Sequence, residues 1–179
     1  MFLFQSISLG TMQLQSALSF VDMFPEARGW DVCIAEQNKK PLLYAPQMSA
    51  FELRRRLKDD SWLNTSVHVF IRPLMNNVVF LDLDKFPGGD ALAHLHSLQP
   101  RAIVRTSQSN LQAWLTLPPA LSEKDTLEVA GELNAWFKGD TNSLRKGQHG
   151  RMPGKSAHFA QTHNHLAEAR QLLQNLTYA

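Results

Sequence analysis

The stretch Val78-Val79-Phe80-Leu81-Asp82-Leu83-Asp84 decides how this chain is read. Its β-branched and apolar residues predict a strand, and successive side chains on a strand point to opposite faces. Val79, Leu81 and Leu83 therefore share one face, which belongs against a core, while Phe80, Asp82 and Asp84 share the other. Two carboxylates side by side are unfavourable unless a cation neutralises them or one is protonated. Hard oxygen ligands of this kind suit Mg²⁺ or Mn²⁺. The plain alternative is an acidic strand end ahead of the turn at Pro87-Gly88-Gly89.

On the C-terminal side, Gly88-Gly89-Asp90 leads into a helix over Ala91 to Leu98, and Ala102 to Thr106 and Leu111 to Leu117 read as strands. Ser122-Glu123-Lys124-Asp125 caps a helix whose Leu127, Ala130, Leu133, Ala135, Trp136 and Phe137 form its apolar side, and Gly139 ends it. A final strand is expected near His149 to Met152. The resulting β-α-β-β-α-β order is ferredoxin-like, with helices on one sheet face and the other face open. Leu81, Leu83, Val104, Leu111, Leu115, Leu133 and Phe137 are expected on the helical side. Along 110–117 the same alternation leaves Asn110, Gln112, Trp114 and Thr116 for the open face, opposite the aspartates. Trp114 there either packs beneath the N-terminal half or stacks on a base. Thr106-Ser107-Gln108-Ser109 is a polar turn able to offer hydroxyls and amides to a phosphate.

On the N-terminal side, apolar residues at helical spacing over 11–24 end at Pro25, and Trp30 to Ala35 with Pro41 to Ala45 suggest a hairpin. Ser49-Ala50-Phe51-Glu52 fits a capping box, opening a helix with Phe51, Leu53, Leu57 and Trp62 inward and Arg54, Arg55 and Lys58 outward. Val67 to Ile71 reads as a strand ended by Pro73, and the chain finishes in an apolar-periodic helix over about 166–176. This half is expected to pack beside the open face and form a cleft.

At 179 residues, 44% hydrophobic and 19% charged, the chain suits one core-forming domain and not wholesale disorder. The expected organisation is an N-terminal α/β half over 1–65, a motif-bearing half over 66–158 and the helix over 159–179. Cys33 is the single cysteine, which excludes an internal disulfide framework. No apolar run reaches the length of a membrane span, and the start lacks the positive segment of a signal peptide. A soluble, cytoplasmic protein with no membrane partner is the expectation. The net charge of +2 is mild, but its distribution is uneven. Thr141 to His158 holds Arg145, Lys146, Arg151 and Lys155 with no acid, and Arg54-Arg55-Arg56 with Lys58 forms a second cluster. Such clusters either bind polyphosphate or form solvated faces.

Four segments now resemble a known family. Val69-Phe70-Ile71-Arg72-Pro73, the 78–84 strand, Arg105-Thr106-Ser107-Gln108-Ser109-Asn110-Leu111-Gln112-Ala113-Trp114-Leu115 and Gly150-Arg151-Met152-Pro153-Gly154 occur in the order seen in RepB-type plasmid replication primases of the archaeo-eukaryotic primase superfamily. The resemblance covers about residues 65 to 158. It implies an α+β fold, an RRM-like (ferredoxin-like) half packed against an N-terminal α/β half. It also implies that Asp82 and Asp84 are the metal pair, and that Asn110 and Gln112, with Ser107 in the preceding turn, contact the phosphates of an incoming nucleotide. Arg151 matches the arginine expected near the triphosphate. Asp140 is the third acid by this resemblance, and by its own sequence equally a helix N-cap; Glu52 and Asp31 are the alternatives if it fails. Lys155-Ser156-Ala157-His158 stands where family members continue with Asn and Lys, so Lys155 or His158 takes the last basic contact.

The implied chemistry is two-metal primer synthesis on a single-stranded DNA template, with Mg²⁺ or Mn²⁺ as cofactor and Asp82, Asp84 and Asp140 as catalytic and metal-binding residues. Arg105, Arg151 and Lys155 offset the charge of a nucleoside triphosphate. The implied setting is replication of a plasmid or other mobile element, with a helicase or a separate template-binding helical protein as a possible partner, since the helix expected over about 166–176 leaves no room in this sequence for the separate helical domain with which RepB-type primases engage template DNA. The non-enzymatic alternative is a primase-derived module that only binds nucleotide or DNA. A haloacid dehalogenase-type phosphohydrolase also uses Asp-x-Asp, but Lys85-Phe86-Pro87 follows here instead of small residues. A metal-dependent glycosyltransferase has no supporting motif.

Overall fold

In the computed structural model, which describes residues 9–36, 41–59, 67–86, 88–144, 147–154 and 158–160, the chain builds two antiparallel sheets. One contains β1 (Trp30–Glu36), β2 (Pro41–Met48), β3 (Val67–Pro73) and β7 (Gly150–Arg151) in the order β2-β1-β3-β7. The other contains β4 (Val78–Leu83), β5 (Ala102–Arg105), β6 (Leu111–Thr116) and β8 (His158–Ala160) in the order β4-β6-β5-β8. Helices α1 (Leu9–Asp22) and α2 (Ala50–Asp59) accompany the first sheet, and α3 (Asp90–Ser97) and α4 (Glu123–Phe137) the second. This is the α+β arrangement of an RRM-like half against an N-terminal α/β half.

Alternation along the strands sorts the side chains into two cores. Val79, Leu81, Leu83, Ile103, Leu111, Ala113 and Leu115 face Leu95 of α3 and Ala130 of α4, with Leu133 and Phe137 partly buried beside them. On the other face, Phe80, Val104 and Trp114 enter a core with Phe20 and Phe24 of α1, Trp30 and Val32 of β1, Ile71 of β3 and Leu53 and Leu57 of α2. Trp114 is fully buried, its ring 4.5 Å from that of Phe80, 5.7 Å from Phe20 and 6.2 Å from Phe24. The N-terminal half thus covers the sheet face left by the helices.

Four expectations need correction. The strand at 150–151 forms, but it joins the first sheet, pairing Arg151 with Phe70 and Gly150 with Ile71; β8, antiparallel to β5, completes the βαββαβ order. So short a strand carries no pattern that names its neighbour. Val104 lies on the inter-sheet face, because its register partner is Gln112, and Ile103 takes the helical face. The run Ala102-Ile103-Val104 is apolar throughout, so alternation alone leaves its facing open. Phe51 is 76% exposed, since α2 turns Leu53 and Leu57 inward. In α4 the buried row is Thr126, Ala130 and Asn134, four residues apart, while Leu127 and Trp136 face outward. Trp62 and the helix over 166–176 lie outside the described residues.

The hairpin of β1 and β2 and the capping box of Ser122 with Asp125 form as expected; at Ser49 only half of the box forms, its Oγ accepting from Glu52 N at 3.1 Å while the Glu52 carboxylate pairs with Arg55 and Arg56. Among the described residues no helix is long and apolar enough to cross a membrane.

Candidate active site

The centre of the site is one cross-strand pair. Asp82 on β4 stands opposite Gln112 on β6, on the face away from the helices. Gln112 Nε2 donates to Asp82 Oδ2 at 3.4 Å, and Gln112 Oε1 accepts from the backbone N of Arg151 at 2.7 Å. Both ends of this buried amide are therefore engaged, one on each sheet. Half-burial pushes the Asp82 carboxyl above the usual carboxylate range; the Gln112 bond opposes this, the Asp84 and Asp140 charges add to it, and Arg151 opposes it. Three acids and one arginine thus share a field centred on Asp82.

Glycine makes that closeness possible. A Cβ at Gly150 would collide with Trp114 Cζ2 and lie 2.7 Å from Phe80 Cε2 and 3.1 Å from Gln112 Oε1. Only a bare Cα lets β7 run across this face of the second sheet while pairing with β3 of the first. The next residue, Arg151, is partly exposed, and among the described residues no carboxylate forms an ion pair with it. On β3, His68 lies on the same face as Phe70, two residues along from the partner of Arg151. Burial and then the Arg151 charge hold its imidazole below the ordinary histidine range, and its buried Nδ1 has no partner. Sequence reading passed over His68; its alternation within 67–73 was the available signal.

The second acid-bearing loop docks from α4. Lys138 adopts a left-handed backbone at the helix end, and Gly139 follows where a Cβ would collide with Asn134 Oδ1 and sit 3.0 Å from the Asp82 carbonyl. Asp140 N donates to that carbonyl at 2.8 Å. Asp140 is thereby brought beside Asp82, yet its Oδ1 accepts from Asn142 N at 2.9 Å and from Asn142 Nδ2 at 3.0 Å. It heads the short 3-10 turn Thr141–Leu144, which Ser143 Oγ braces on Asp140 O and Asn134 Oδ1. Asp140 thus lies near Asp82, and its carboxylate caps the turn that follows it.

Asp84, just past β4, is exposed. Behind it Lys85 takes a left-handed backbone with φ 54, and its N–H donates to Asn110 Oδ1 at 3.0 Å. Phe86 N donates to Ser109 O at 2.7 Å. The Asn110 carbonyl therefore pins the Asp84 turn, leaving its amide nitrogen for other contacts. Ser107 is exposed in the neighbouring turn. Arg105 is not brought to the Asp82 group: it alternates to the opposite face of β5 from Val104 and donates to Gln108 O at 2.9 Å. Lys155, Arg145 and Lys146 lie outside the described residues, as does the side chain of His158.

The other basic cluster is spent on pairing. Arg54 reaches Asp22 at 2.6 Å, Arg55 reaches Glu52 and Asp59, and Arg56 reaches Glu52. Glu52, held down to about 2 by Arg55 and Arg56, and Asp31, buried against the half-buried Arg72, are both engaged with arginines. Among the described residues, no three His, Cys, Asp or Glu side chains converge as a ready-made metal cage. The chemistry of the Asp82 environment nevertheless fits a divalent cation: a half-buried carboxylate with two further acids in its field gains from one.

No protein-family model matches the sequence, and no curated protein matches it. Solved structures do. The catalytic domain of primase RepB′, crystallised in complex with initiator DNA, superposes with a TM-score of 0.68 at 18% identity, covering 93% of this chain and 98% of that one. A structure of primase RepB′ gives 0.69 at 17% identity, with 93% of this chain covered and 65% of that one. The AEP domain of the cyanophage S-2L primase-polymerase gives 0.56 at 14% identity over 90% and 95%. The chain has the fold of these primase catalytic domains.

Proposed function

We propose that the chain is a primase-type nucleotidyltransferase, which binds a nucleoside triphosphate between Asp82, Asp84 and the Arg151 strand and joins nucleotides on single-stranded DNA. The setting is replication of a plasmid or other mobile element. The observation that carries this reading is the Gln112 amide, which ties the Asp82 carboxylate to the backbone of Arg151 across two sheets. An acid for a cation and a cation for a phosphate are thereby held at a fixed spacing on rigid strands. Asp82 and Asp84 would hold Mg²⁺ or Mn²⁺, with Asp140 joining on release from Asn142; bound metal would activate the attacking hydroxyl and stabilise the leaving pyrophosphate. Arg151 presents a planar guanidinium to phosphate oxygens. Asn110 acts through the backbone, setting the Asp84 turn.

A second reading has an observation in its favour. The Asp140 carboxylate is occupied by Asn142, which suits a primase-derived module that binds nucleotide or DNA without catalysis. Nucleotide titration with and without Mn²⁺ on wild type, Asp82→Ala and Arg151→Ala, beside a primer-synthesis assay, separates the two. The expected result is Mn²⁺-dependent binding, weakened by about 2–5 kcal/mol in Arg151→Ala, together with primer synthesis that Asp82→Ala abolishes. Equal, metal-independent binding in all three proteins overturns the site. Tight metal-dependent binding without synthesis supports the binding module.

A further inference from the structure

The first sheet has two unlike faces. Trp30, Val32, Ile34, Val69 and Ile71 point into the core shared with α1 and α2. On the other face the register lines up one residue from each strand. Tyr44 of β2 stands opposite Cys33 of β1, Cys33 opposite Phe70 of β3, and Phe70 opposite Arg151 of β7. Directly opposed residues of an antiparallel pair share a face. Strands lie about 4.8 Å apart, so the row runs about 14 Å from Arg151 to Tyr44. Two histidines flank it: the His68 ring lies 6.1 Å from that of Phe70, and the His149 ring 6.1 Å from that of Tyr44. Tyr44 is 55% exposed, and Cys33, His68, Phe70, His149 and Arg151 are each partly exposed.

The charges on this face say what it suits. Among the described residues, the one carboxylate that these strands place there is Asp31, which is buried, paired with Arg72 and bonded by Gln47 N at 3.0 Å. Its charge is met, and Arg151 gives the row a positive end. Burial, with the Arg151 charge at His68 and the Arg72 charge at His149, holds both imidazoles below the ordinary histidine range, so near neutral pH they are uncharged rings. Exposed rings beside a cation are what single-stranded nucleic acid uses, its bases stacking on the aromatics while the positive field attracts its backbone. We propose that this face is the platform on which the single-stranded DNA template lies, with bases stacked on Tyr44 and Phe70. Naming the strand a template rests on the primase reading above, whereas the row of rings and its charge do not. Continuity favours DNA over a protein partner. The row ends on Arg151, whose backbone N is tied through Gln112 to Asp82, so a strand lying on these rings leads straight to the proposed site of nucleotide binding.

The test measures fluorescence anisotropy of a short labelled oligothymidylate with the full chain, without metal or triphosphate. Wild type should bind it, and Tyr44→Ala should bind at least about five-fold more weakly, the loss of one stacked base. Tyr44→Phe, which keeps the ring, should bind like wild type, and so should Trp136→Ala, which removes the 58% exposed ring of α4. Urea denaturation checks that the exposed Tyr44 is replaced without loss of stability. No binding by wild type, or equal binding by Tyr44→Ala, overturns the proposal. An equal loss in Trp136→Ala also overturns it, because any exposed ring then serves. So does a loss of Mn²⁺-dependent triphosphate affinity in Tyr44→Ala with DNA affinity intact, which gives the face to the incoming nucleotide. Because the DNA titration contains no metal or triphosphate, its failure leaves the Asp82–Arg151 site standing. Failure of metal-dependent triphosphate binding in turn leaves the DNA titration unchanged.

Discussion

Asp82 is a carboxylate whose burial costs stability. Burial lifts its carboxyl above the usual range before Asp84 and Asp140 add their repulsion. Its pKa in the fold thus exceeds its unfolded value near 4, so the charged form costs stability above the folded pKa and the cost vanishes below the unfolded one. Asp82→Asn removes the charge and keeps an amide opposite Gln112. We expect the variant to melt roughly 2–4 °C higher than wild type at pH 7 without metal. The difference should shrink to nothing as the pH falls below about 4, and calorimetry across that range checks the sign. A lower melting temperature at pH 7 would mean that the Asp82 charge is satisfied inside the protein, removing its need for a cation.

At the scale of elements, the critical contact is β7 laid over β4 and β6. Gly150 permits it, and Gln112 fastens it through Arg151 N. Gly150→Ala forces a methyl group against Trp114 and Phe80, two buried rings. Overpacking of this kind costs about 1–3 kcal/mol, measurable by urea denaturation. Because the same shift moves Arg151 away from Asp82, nucleotide affinity should fall in parallel. Unchanged affinity with lowered stability would separate Arg151 from the site. The neighbouring loop repeats the principle: Gly139 allows α4 to end against the Asp82 carbonyl, so a helix terminator at the level of sequence is a docking residue at the level of packing.

At the scale of the whole molecule, the two sheets are joined by one aromatic core. Trp114 and Phe80 of the second sheet interleave with Phe20, Phe24 and Trp30 from the first half, and Arg101 on the second sheet's side donates to Met23 O and pairs with Glu26. Neither half keeps its buried face without the other. The protein should therefore unfold in one transition, with coincident tryptophan fluorescence and far-UV circular dichroism. Trp114→Ala should cost about 3–5 kcal/mol and retain that single transition at lower denaturant. Two separated transitions in wild type would instead make the halves independent domains. Nothing local to β6 announces this role: Trp114 alternates with Gln112 on one strand face, and only the α1 rings beside Trp114 decide that it is core while Gln112 bonds Asp82 and Arg151 N.

The sequence by itself determined the strand at 78–84, its two faces, the opposition of Asp82 and Gln112, the hairpin, the caps at Ser49 and Ser122, and the primase-like order of motifs. Each follows from a period of two, from a capping residue or from spacing along the chain, which are local properties. Tertiary structure alone decided the rest. It assigned β7 to the first sheet and β8 to the second, because short strands have no pattern that selects a partner. It turned Thr126, Ala130 and Asn134 of α4 inward, because that helix carries apolar residues all round. It drew Arg105 away from the site and set Asn142 on Asp140. It also spent Arg54, Arg55 and Arg56 on nearby acids, since a charge cluster takes its meaning from the carboxylates that folding places beside it.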